Sequence, residues 1–65
     1  MGVDALSRRE REVVDLAVAG ESTAHIAAHL FLSERTIETH LANAYVKLGV
    51  HSRLELVRRA GELGI

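Results

Sequence analysis

Arg35, Glu38, Thr39 and Ala42 are spaced so that a helix carries them on one side, opposite the apolar set Ile37, Leu41, Ala44 and Leu48, which steps by four, three and four residues. A guanidinium, a carboxylate, a hydroxyl and a methyl group gathered on one outer face can read base edges. Glu38 can accept from cytosine N4–H₂, Thr39 and Ala42 can touch a thymine methyl, and Arg35 can reach guanine or a phosphate. All but Arg35 and Glu38 are short, so such a helix can approach a groove floor closely. The bland alternative is a solvated helix face with one charge of each sign.

Other chemistry finds fewer parts. His25 and His29 stand four apart, a spacing that can grip zinc from one helical face, but Ile26, Ala27 and Ala28 lie between them and no Glu completes an H-E-x-x-H site. Surface or phosphate-facing histidines are expected instead, with no metal and no cofactor. His40 is expected to pack against the second helix, and His51 falls in a loop. With no Cys nucleophile, no Gly-rich phosphate loop and no paired carboxylates in a plausible pocket, no catalytic residue is assigned and an enzyme is not expected.

The elements that must position the outer face are small. The chain has 65 residues, one Tyr and one Phe, so a single domain with a thin aliphatic core of Leu, Val, Ile and Ala is expected. The longest apolar run, Leu16 to Ala19, is far short of the ~20 residues needed to cross a bilayer, and the absence of Cys fits a reducing compartment. A cytoplasmic location follows as the expectation. Eight Lys and Arg against nine Asp and Glu leave a formal net charge of −1, which does not make the basic surface of a strong nucleic-acid binder. Any basic face must come from distribution: Arg8, Arg9 and Arg11 cluster early, Arg58 and Arg59 late, with Arg35 and Lys47 between.

Four apolar-periodic segments are each opened by Ser, which predicts an all-α fold with helices over about 8–19, 23–30, 34–48 and 53–62. Ser7 with Glu10, and Ser52 with Glu55, match the S-x-x-E capping box; Ser22 and Ser33 are the other two caps. Gly20, Gly49, Gly61 and Gly64 supply stops or loosened ends. Val13, Leu16, Ala17 and Gly20 share one face of the first helix, Ile26, Ala27 and Leu30 form the stripe of the second, and Leu56, Val57, Ala60 and Leu63 can face inward from the fourth. Residues 1–4 carry no pattern and are expected to be a disordered start, in part a cloning remnant, with the domain over 5–65. A short helix, a linker of about three residues and a longer helix form a helix-turn-helix arrangement, whose second helix enters the major groove.

Several spaced anchors together resemble the LuxR/FixJ-type (GerE-like) DNA-binding domain. They are Leu6-Ser7-Arg8-Arg9-Glu10-Arg11-Glu12-Val13, Gly20-Glu21-Ser22, Ile26-Ala27, Leu30-Phe31-Leu32-Ser33-Glu34-Arg35-Thr36-Ile37-Glu38-Thr39-His40, Lys47-Leu48-Gly49-Val50 and Ser52-Arg53. The resemblance spans 6–60. It implies a tetrahelical, C-terminal module of a longer bacterial transcriptional regulator, with response regulators among its relatives, binding double-stranded DNA as a dimer through the third helix. Carried over, base contacts fall on Glu38, Thr39, Ala42 and Asn43, and backbone contacts on Ser22, Thr23, Arg35, Thr36 and Lys47. The resemblance also allows RNA polymerase as a partner.

Two departures bear on affinity. Many relatives have Lys or Arg where Glu38 stands, and many have Lys where Ala24 stands, so weaker, more selective and less salt-dependent binding is expected. The fourth helix is implied as the dimer contact. Leu54 is expected to point outward there, with Arg58 one turn on, close to its own copy or paired with Glu55 or Glu62. An isolated module is expected to be largely monomeric. The competing readings are a small helical protein-interaction module, favoured by the near-neutral charge, and a sigma-factor region-four-like promoter binder, disfavoured by the Lys47-Leu48-Gly49-Val50 anchor.

Overall fold

The computed structural model describes residues 2–65. Four helices, α1 (Arg8–Val18), α2 (Thr23–Leu30), α3 (Glu34–Leu48) and α4 (Arg53–Leu63), follow a single 3₁₀ turn at Val3–Ala5, and no strand occurs among the described residues. The expected helix bounds hold to within one residue at every end. Each helix starts where a Ser in extended conformation accepts the N–H three residues on: Ser7 from Glu10, Ser22 from His25, Ser33 from Thr36 and Ser52 from Glu55.

The capping box is complete at α1, where Glu10 Oε1 accepts the Ser7 N–H at 2.9 Å. At α4 it is half formed. Glu55 accepts the N–H of His51, the residue before the cap, at 2.9 Å. The Ser52 φ of −158°, against −69° at Ser7, swings the cap's own N–H away from that carboxylate.

Helix ends are set by left-handed residues. Gly49, at φ 72°, closes α3 and lets the Val50 N–H reach the Tyr45 carbonyl, which drops Val50 back into the core. The equivalent position after α2 is Phe31, at φ 57° with no glycine to relieve it, and the Leu32 N–H then reaches the Ala27 carbonyl.

α1 packs mainly on α3, α3 also on α2, and α4 on α1. Ile37, Leu41, Ala44 and Leu48 are all buried, as their spacing predicts, against Val13, Val14, Ala17, Ile26, Ala27, Val50 and Leu56. Three expectations need correction. Val14 replaces Leu16 in the core, because the buried stripe of α1 runs 10, 13, 14, 17 and leaves Leu16 half-buried at its edge. Val57 is 43% exposed, since the inward stripe of α4 is Leu56, Ala60 and Leu63. Gly61 does not loosen the helix, which runs through it to its cap at Gly64.

Of residues 1–4, expected as a disordered start, Met1 lies outside the described residues, and Val3 and Asp4 fall in the 3₁₀ turn. The Gly2 N–H donates to the Lys47 carbonyl at 3.1 Å, and Val3 and Leu6 pack against the core. Two apolar residues three apart make too short a pattern to be read locally. Their contact with the end of α3 is a tertiary one.

Candidate nucleic-acid interface

α2 and α3 are joined through Phe31, Leu32 and Ser33, and the apolar stripes of both helices meet in the core. With its inner stripe so fixed, α3 turns Arg35, Glu38, Thr39, Ala42 and Asn43 to solvent. All five expected α3 face residues are therefore exposed together. Val46, 78% exposed, extends the same face by one more turn. Thr36 and Lys47 are half-buried on the flank, while Ser22 and Thr23 stand at the start of α2, Ser22 exposed and serving as its cap.

Hydrogen bonding narrows what each side chain can offer. The Thr39 hydroxyl donates to the Arg35 carbonyl at 3.1 Å, which leaves its oxygen as an acceptor and its methyl free for an apolar contact. Thr36 Oγ1 lies 2.9 Å from Ser33 Oγ. Among the described residues neither Arg35 nor Glu38 is held in an ion pair, so a guanidinium and a carboxylate three residues apart remain free for an outside partner.

Four other arginines, Arg8, Arg9, Arg11 and Arg59, stand against carboxylates. Arg9 and Glu12 lie 2.9 Å apart, Arg11 and Asp15 3.0 Å, and Arg8 reaches Glu12 at 3.8 Å. The early Arg cluster therefore forms a mixed-charge surface of α1 rather than a basic face. On α4 it is Arg59, not Arg58, that pairs with Glu55 at 3.2 Å and with Glu62 at 3.6 Å, because positions 55, 59 and 62 share one helical side. Arg58 is exposed beside Leu54, Val57 and Gly61, which together give α4 a largely apolar outer strip.

Two long-range contacts had no local signal. Lys47 Nζ lies 2.6 Å from Glu10 Oε1, and Glu10 is 5% exposed. The Lys47 hydrogen bond, followed by the Ser7 N–H, holds the Glu10 carboxyl below the ordinary value against the opposing effect of burial. Arg53 donates to the Glu21 carbonyl, tying the start of α4 to the α1–α2 turn. Of the histidines, His25 Nδ1 lies 3.2 Å from Glu21 Oε2 and His51 Nδ1 3.3 Å from Glu55 Oε1, while His40 is half-buried. No group of three or more His, Cys, Asp or Glu converges on a metal position among the described residues. No helix among them is long and apolar enough to cross a membrane.

Comparison with known proteins places these features in a family. The profile described as "Bacterial regulatory proteins, luxR family" matches residues 4–60. The spore germination protein GerE of Bacillus subtilis is 48% identical, with 89% of this chain and 82% of that protein covered. The transcriptional regulatory protein UhpA of Escherichia coli is 45% identical over 86% of this chain but only 29% of its own length. The crystal structure of full-length FixJ from B. japonicum superposes with a TM-score of 0.83 at 44% identity, over 95% of this chain and 30% of that one. The chain thus spans most of one relative and under a third of two others.

Proposed function

Because this chain belongs to the luxR family of bacterial regulatory proteins, it is a helix-turn-helix domain of the kind transcriptional regulators carry, and we propose that it binds duplex DNA sequence-specifically, with α3 in the major groove and two copies joined through α4 on a two-fold site. The observation that carries this reading is the exposed surface of Arg35, Glu38, Thr39, Ala42 and Asn43, whose free charged groups and short neighbours can reach base edges. Ser22, Thr23, Arg35, Thr36 and Lys47 hold the phosphates that set its register. The N-terminus of α2 adds N–H groups that favour a phosphate.

Two copies are needed because one thin module covers too few base pairs for tight, specific binding. Leu54, Val57 and Gly61 offer an apolar strip that a second copy can cover, with Arg58 at its edge. This chain is read as the C-terminal module of a longer regulator, acting in the cytoplasm and open to RNA polymerase on its remaining faces; the partial coverage of UhpA and FixJ supports the longer regulator.

A mobility-shift selection from a random duplex pool, at low salt with concentrated or tandem-linked protein, tests the reading. A two-fold sequence should be enriched. Enrichment of nothing, or amide shifts on cognate duplex that spare the Arg35–Asn43 surface, would overturn it in favour of a protein-interaction module.

A further inference from the structure

Glu10 is the one buried charged residue among those described, and a capping box alone does not require it to be. A Gln would accept the Ser7 N–H equally well. Its Oε1 accepts both from Ser7 at 2.9 Å and from Lys47 Nζ at 2.6 Å, so the same oxygen fixes the start of α1 and the last turn of α3. Lys47 is also held by its backbone, since its carbonyl accepts the Gly2 N–H at 3.1 Å. Yet the lysine side chain remains 36% exposed, and an ammonium has three donors of which Glu10 takes one. On α3 the positions of Thr36, Asn43 and Lys47, seven and four residues apart, run along one flank beside the outward surface.

From this geometry we infer that Glu10 is a positioning residue for DNA binding: it fixes the Lys47 ammonium beside the groove-facing surface and cancels its charge at long range, so that Lys47 meets the DNA backbone as an oriented donor. A free lysine would release a counterion on binding a phosphate, and would lose side-chain freedom in doing so. A lysine already paired and already immobilised does little of either. The inference rests on the duplex-binding reading above and assigns Glu10, which lies on α1 away from the reading face, a part in it.

The test is the dependence of log K on log[salt], measured for the 65-residue chain on a short two-fold duplex from the selection described above. Glu10→Gln keeps the capping acceptor and frees the lysine charge. Its slope should steepen by about 0.9 for each bound copy, about 1.8 for the two-copy complex, with tighter binding than wild type at low salt that fades as salt rises. Glu10→Gln combined with Lys47→Met removes both charges, and should bind several-fold more weakly at every salt with the wild-type slope. The double variant decides the matter alone if Glu10→Gln loses its helical circular dichroism, because loss of a free cation from each copy would instead flatten the slope by about 0.9 per copy. An unchanged slope in Glu10→Gln, or a flattened one in the double variant, overturns the inference while leaving duplex binding intact. A wild-type chain that binds no duplex overturns both.

Discussion

Lys47 Nζ and Glu10 Oε1 sit 2.6 Å apart although 37 positions separate the two residues in the chain. The contact closes the first turn of α1 onto the last turn of α3. Lys47→Met leaves a buried carboxylate without its cation. It should lower the unfolding free energy by about 2 kcal/mol, below the cost of breaking a fully buried pair because the lysine is partly solvated. For a domain this size that is a large share of the total. Urea denaturation followed by helical circular dichroism measures it, and a loss below about 0.5 kcal/mol would mean that the pair does not hold the helices.

The same pair gives stability a pH dependence of known sign. The Glu10 carboxyl is held below the ordinary 4.5, first by the Lys47 hydrogen bond and then by the Ser7 N–H. The unfolded chain therefore binds this proton more readily than the folded one. The stabilisation is complete above the unfolded value and is lost as pH falls through the folded one. Urea midpoints at about pH 7 and about pH 3.5 should show a larger acid loss for wild type than for Glu10→Gln. Equal losses would place the acid-sensitive group elsewhere.

Most of the fold was legible because it is written in local terms. Each helix start is a Ser three residues before an N–H it can accept, and the α3 core stripe is periodic over its whole length. The outer surface of α3 followed from that stripe. What was not legible depends on packing between distant segments. Glu10 reads as a cap, and only the folded chain shows it also buried against Lys47. Val57 reads as core by hydrophobicity, yet α4 meets α1 along Leu56 and Ala60, which turns Val57 out. Arg58 and Arg59 are alike in sequence, and only the register of α4 decides that Arg59 meets Glu55 and Glu62.

Phe31 occupies a left-handed conformation at φ 57° and is 93% exposed. A non-glycine residue there bears a steric cost of about 1–2 kcal/mol, and this one gains almost nothing from burial. Phe31→Gly removes the clash but adds freedom to the unfolded chain, which offsets part of the gain. The net expectation is a stabilisation of about 0.5–1 kcal/mol, visible as a raised urea midpoint. A destabilised variant would show that the aromatic ring contributes packing its exposure does not suggest.

Leu54 is 60% exposed on the first turn of α4, with Val57 on the same outer side. Leu54→Glu should leave helical content and urea midpoint within about 0.5 kcal/mol of wild type, as for other surface changes. On a two-fold duplex it should abolish the cooperative two-copy complex, because two carboxylates would face each other across the axis. On a half-site duplex, which one copy fills, affinity should be unchanged. Equal behaviour of wild type and variant on both duplexes would remove α4 as the contact between copies.

On the proposed reading surface Glu38 is the residue that most opposes binding, for its charge repels phosphate unless a base donor meets it. Two measurable consequences follow from one substitution. Glu38→Ala should bind a mixed-sequence duplex more tightly than wild type, since a repulsive charge is gone. It should also lose discrimination at one base pair per half-site, about tenfold, in line with ~1–3 kcal/mol for a direct base contact. The ratio of affinities for selected and mixed duplexes separates the two effects. Were Glu38 merely a solvated residue beside the groove, both affinities would rise by the same factor and the ratio would stay fixed. A falling ratio with a cytosine preference lost at the affected position assigns the carboxylate to cytosine N4–H₂.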